Sequence, residues 1–86
     1  MQYRIELRPA AQRALARLRG KTRLRIEGAL LLLAQNPRPR GAIALQGRDG
    51  FRVRVGDYRI IYSIHDDVLV VAVVEIGHRR DVYRSR

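Results

Sequence analysis

The sequence predicts an α+β domain in the order β-α-α-β-β-β, with two N-terminal helices packed on one face of a small antiparallel sheet. Three observations lead there. Apolar residues in the first half recur at i, i+3, i+4 and i+7, whereas from Phe51 onward they alternate or run continuously. Proline, glycine and asparagine fall where the period changes. A chain of 86 residues makes one domain, 1–86, with a single modest core.

Tyr3 to Leu7 reads as a short strand. Pro9 suits the first turn of a helix, where its missing N–H costs nothing. Ala11, Ala14, Leu15 and Leu18 then form one apolar stripe, and Gly20 is a plausible helix stop. A second helix runs from about Thr22 to Gln35, with Ile26, Ala29, Leu30 and Leu33 as its core stripe. Leu24, Leu31 and Leu32 widen its apolar arc beyond what one sheet face needs. Either a partner covers them or the loop at 37–50 folds over them. Asn36-Pro37 ends this helix, and residues 37–50 are a loop rich in Pro, Gly and Arg. Phe51 to Val55 alternates as a strand, Gly56-Asp57 turns it, and Tyr58 to Ile64 is the next strand. Asp66-Asp67 makes another turn before a long apolar strand, Val68 to Ile76, expected to be central and buried on both faces.

The formal net charge is +10, and of 18 basic residues only Lys21 is not arginine. A charge this large on so small a domain suggests a polyanionic partner. It is concentrated early: residues 1–47 hold ten basic and two acidic side chains, residues 48–86 eight and six. There are no cysteines, which excludes disulfides and thiolate metal sites. No apolar stretch reaches membrane-span length and no signal-peptide core is present, so a cytoplasmic protein without membrane contact is expected. The histidines and carboxylates show no metal-ligand spacing, and no glycine-rich phosphate loop or nucleophile elbow occurs, so neither metal nor cofactor is expected.

Strand alternation converges the later basic residues. If Phe51, Val53 and Val55 face the helices, Arg52 and Arg54 face away. Arg59, Ile61 and Ser63 then share that open face, with Arg54 and Arg59 neighbours across the ladder. Like charges directly opposite repel, and an anion between them, phosphate above all, gives the arrangement a purpose. The alternative is a solvated face with scattered charge. His78, Arg79 and Tyr83 follow the last strand, and Gly77 would let the chain bend toward the same face. Glu75 reads as a counter-charge to an arginine, and His65 as a solvated turn residue.

The stretch "FRVRVGDYRIIYSI" followed by "VLVVAVVEIGHRRDVY", with "NP" at Asn36-Pro37 and "LQG" at Leu45 to Gly47, resembles the RelE/ParE toxin superfamily and its RelE branch in particular. The likeness covers nearly the whole chain. It implies a toxin of a toxin–antitoxin pair: a metal-independent endoribonuclease that cuts mRNA in the ribosomal A site by attack of the 2′-hydroxyl on the adjacent phosphate. The family's basic strand residues match Arg52, Arg54 and Arg59, and its late arginine and tyrosine match Arg79 and Tyr83. Implied partners are the ribosome with its mRNA and ribosomal RNA, a RelB-like acidic antitoxin, and operator DNA through the toxin–antitoxin complex.

Some relatives carry lysine where Arg52 and Arg54 stand, and arginine cannot lose its proton. These two therefore bind RNA phosphate, and Arg59, His78, Arg79 and Tyr83 form the expected catalytic set. Tyr83 is the expected general base, because neighbouring cations favour phenolate. Arg79 would support the leaving 5′-oxygen and His78 could donate a proton to it. The leucines 24, 31 and 32 are the expected antitoxin contact. Two other readings stay open: a ParE-like inhibitor of gyrase, and an RNA-binding module without catalysis.

Overall fold

In a computed structural model of the chain, which describes residues 2–78, the elements are β1 (Arg4–Leu7), α1 (Pro9–Arg17), α2 (Gly20–Gln35), β2 (Ile43–Ala44), β3 (Phe51–Val55), β4 (Tyr58–His65) and β5 (Val70–His78). Pro9 opens α1. The helix ends at Arg17, three residues before the expected glycine, because the Leu18 N–H turns back to the Leu15 carbonyl at 3.1 Å. The Arg19 guanidinium then donates to the Ala16 and Leu18 carbonyls at 3.0 and 3.2 Å, satisfying acceptors that the helix end leaves open. Gly20 is thus the start of α2 and no terminator, with a φ of 60° that L side chains rarely adopt.

Both helices lie on one face of a five-stranded sheet of order β1-β5-β4-β3-β2. The sheet is mixed where an antiparallel one was expected: β1 runs parallel to β5, with Arg4 opposite Val70 and Leu7 opposite Val73. The reason is the buried run Val70–Val73 in β5. A strand buried on both faces needs a hydrogen-bonding neighbour on each edge. β1 supplies one, and the long crossover needed between parallel strands is the rest of the domain. The second unexpected element is β2, which pairs Ile43 with Arg52 and Ala44 with Phe51 inside the region read as loop. Gly50 makes the return to β3 possible. Its φ is 128°, and a Cβ there would stand 3.0 Å from the Tyr62 carbonyl oxygen. In the β3–β4 turn only Gly56 takes a positive φ, 61°, which explains the order Gly-Asp.

The core is the expected one. Ala11, Leu18, Ile26, Leu30 and Leu33 from the helices meet Ile60, Tyr62, Val71, Val73 and Ile76 from the sheet. The β4–β5 ladder contains a bulge that the sequence does not announce. Ile61 pairs with Glu75 but the next residue, Tyr62, pairs with Val73, so Val74 is an extra residue on β5.

Candidate functional site

β3 alternates as its sequence requires: Phe51, Val53 and Val55 pack on the core, and Arg52 and Arg54 point from the sheet face opposite α1 and α2. Arg54 stands directly opposite Arg59, and Arg52 sits between Ile43 on β2 and Ile61 on β4. Arg59 is 4 % exposed, the one buried charged side chain among the described residues. It lies across from Gly77, whose missing side chain leaves room for a guanidinium. Neither Arg52 nor Arg54 has a carboxylate partner among the described residues. Three arginines thus stand at adjoining positions of β3 and β4, and the guanidinium fork is a shape that matches phosphate oxygens.

The bulge decides which other residues join them. From Val73, which faces the helices, strict alternation would send His78 to the open face and Glu75 inward. The extra Val74 reverses both. Ile76 pairs with core Ile60, and His78 pairs with Tyr58, whose ring packs on the core. The two rings meet edge-on, with centroids 5.3 Å apart and an interplanar angle of 83°. His78 therefore lies on the helix side of the sheet, away from Arg52, Arg54 and Arg59, contrary to the expected cluster. There it lines a cavity of about 140 Å³ with Thr22, Arg25, Val55, Gly56, Asp57 and Tyr58. Glu75, half-buried and opposite Ile61, is instead on the arginine face. The apolar run of residues 68–74 that leads into the bulge gives no sign of this exchange. Arg79 and Tyr83 lie outside the described residues.

Leu24, Leu31 and Leu32 are 68, 64 and 65 % exposed, on the side of α2 turned from the sheet. The loop does not cover them, because it is tied elsewhere. The Tyr62 hydroxyl donates to the Pro37 carbonyl at 2.8 Å. Arg38 donates to both oxygens of Asp66, at 3.3 and 2.8 Å, and its guanidinium lies 6.0 Å from the centre of the Phe51 ring. The Tyr3 hydroxyl donates to the same carboxylate at 2.5 Å. Hydrogen bonds from Arg38 and then Tyr3 hold the Asp66 carboxyl down at about 2, while burial pushes the Tyr62 phenol up to about 12. The loop is anchored to the β4–β5 turn, at the far end of the sheet from the β3–β4 turn. Among the described residues no three of His, Asp and Glu gather as a metal site, and no helix is long and apolar enough to cross a membrane.

Comparison with known proteins places this architecture. A sequence model described as the ParE toxin of type II toxin–antitoxin systems, parDE, matches residues 5–83. Toxin RelG of Mycobacterium tuberculosis is 41 % identical over 34 residues, a stretch that spans 40 % of this chain and 39 % of that protein. Among solved structures, the archaeal RelE–RelB complex from Pyrococcus horikoshii is 28 % identical, with a TM-score of 0.77 over 92 % of this chain and 97 % of that one. The toxin–antitoxin complex RelBE2 from Mycobacterium tuberculosis is 25 % identical, with a TM-score of 0.80 over 92 % and 93 %. The isolated RelE toxin of E. coli, at 21 % identity, shares the fold with a TM-score of 0.78 over 98 % and 99 %.

Proposed function

The chain belongs to the ParE toxin family of type II toxin–antitoxin systems, and from that premise we propose that it is a ribosome-dependent, metal-independent endoribonuclease acting in the cytoplasm. One observation carries the reading: Arg54 and Arg59 face each other, with Arg52 beside them, on the sheet face opposite the two described helices. An RNA phosphate between them relieves their repulsion and receives their hydrogen bonds. The 2′-hydroxyl attacks that phosphate, and the fixed cations stabilise the charge that builds on its oxygens. Arg79 and Tyr83 are assigned to the same reaction on the resemblance of their motif.

A cradle of cations on a shallow sheet does little to orient flexible RNA. Orientation contributes about 7–11 kcal/mol when it is imposed, and the ribosome, which holds a codon in a fixed path, is the body that imposes it here. Docking draws on the cationic first half of the chain, where ten basic residues face two acidic ones.

The natural inhibitor is a RelB-like acidic antitoxin, in keeping with the relatives solved as RelE–RelB complexes. The exposed stripe Leu24, Leu31 and Leu32 is its contact on α2, and an apolar helix laid along that stripe is the simplest form. Operator DNA would then be bound through the complex.

The matching of a ParE model keeps a second reading, inhibition of gyrase. Cleavage of one mRNA, with and without ribosomes at matched salt, separates the two. The nuclease cuts only with ribosomes present, and Arg54→Gln slows it about 10²–10³-fold. Equal cutting without ribosomes would make it a free ribonuclease. No cutting, with gyrase inhibited, would make it a gyrase toxin.

A further inference from the structure

We propose that Glu75, in place of the Tyr83 that the resemblance suggests, is the general base of the reaction on the open face, an inference that rests on the nuclease reading above. The bulge is what brings it there: with Val74 as an extra residue, Glu75 pairs with Ile61 on the open side and not with the core. The next open-face pair along the ladder is Arg59 with Gly77, so Glu75 is a diagonal neighbour of Arg59. Such neighbours lie about 7–8 Å apart at the backbone, within reach of long side chains. Arg52 is two strands away on the same row, beyond Ile61. Phosphate held by these guanidiniums therefore lies where the Glu75 carboxylate can meet the adjoining ribose.

Among the described residues, the remaining titratable and charged groups of this face do not serve. Guanidinium cannot accept a proton at any accessible pH. His65 is six residues along β4 from Arg59, roughly 20 Å at 3.4 Å per residue, and is hydrogen-bonded to Ser63 at 3.0 Å. Glu6 sits on the edge strand, held by Arg4 at 2.8 Å. Arg8, whose N–H donates to the Val73 carbonyl at 2.9 Å, is a further cation beside the bulge.

The step balances without a metal. The O2′–H bond breaks and the proton passes to a Glu75 oxygen as O2′ bonds to phosphorus. The P–O5′ bond breaks with its electron pair on O5′, which takes a proton from water. A 2′,3′-cyclic phosphate and a 5′-hydroxyl result, and Glu75 returns its proton to solvent.

Single-turnover cleavage on programmed ribosomes, followed from pH 4 to 9, tests this. Wild-type protein should show a rate that falls at acid pH as the base becomes protonated. Glu75→Gln, nearly isosteric, should lose about 10²–10⁴-fold and lose that acid limb, with ribosome binding and melting temperature held. Glu75→Asp should keep the limb at an intermediate rate, and formate should restore part of the Glu75→Ala rate. A Glu75→Gln rate within threefold of wild type overturns the assignment. So does a slow variant that keeps the acid limb, which would make Glu75 a counter-ion for arginine. An inert wild type refutes the nuclease reading itself, and this inference with it.

Discussion

Replacing Leu31 with aspartate should weaken antitoxin binding far more than it weakens the fold. Leu31 is 64 % exposed, so folding removes only about a third of its side chain from water. Full burial of a leucine contributes about 1.5–3 kcal/mol, which leaves roughly 0.5–1 kcal/mol at this site. The poorer helix propensity of aspartate adds about 0.5 kcal/mol. Leu33, two residues on and 2 % exposed, sets the contrast: Leu33→Ala should cost about 2–5 kcal/mol through its cavity. At the interface the order reverses. A carboxylate placed in an apolar contact and facing an acidic partner should cost 2 kcal/mol or more, about thirtyfold in Kd. Urea unfolding of both variants gives the first comparison, and calorimetric titration with the antitoxin gives the second. If Leu31→Asp unfolds as readily as Leu33→Ala, Leu31 belongs to the core. If it binds the antitoxin like wild type, the stripe is not the contact.

His78→Gln should change the single-turnover cleavage rate less than tenfold, because the imidazole packs on Tyr58 behind the sheet. A loss of two orders of magnitude with unchanged melting would return His78 to the catalytic group. Tyr62→Phe keeps the stacked Phe51 contact, at 5.9 Å between centroids, but strands the buried Pro37 carbonyl. The urea midpoint should fall by the equivalent of about 1–3 kcal/mol with its slope unchanged, and a midpoint equal to wild type would show that the carbonyl finds another donor. Asp66 stays ionised in the fold down to about 2, against an ordinary value of 3.8. Its contribution to stability is therefore complete above that ordinary value and is lost as the pH falls toward the folded one. Melting temperatures between pH 2 and 5 should drop less steeply for Asp66→Asn than for wild type, and parallel curves would contradict the role given to Arg38 and Tyr3.

The sequence by itself determined the elements other than the two-residue β2, their core and the arginine face. Period 3.6 in the helices and period 2 in β3 are local properties, read from neighbours in the chain. Gly56-Asp57 then sets which residues oppose each other, so the Arg54–Arg59 pair followed without any tertiary information. Three things needed the folded molecule. The parallel partner of β5 is 66 residues away in sequence at Arg4 and Val70, and no local pattern encodes which strand fills a sheet edge. The path of the loop after Pro37 depends on Arg38, Tyr3 and Asp66 meeting from three distant segments, and that path is what leaves Leu24, Leu31 and Leu32 uncovered. The bulge at Val74 sits at the end of the apolar run of residues 68–74, where one extra residue costs nothing visible in the sequence, yet it exchanges the faces of Glu75 and His78. A side chain's face in a strand is the sum of every register step before it, so a single unpaired residue changes the chemistry of all that follow.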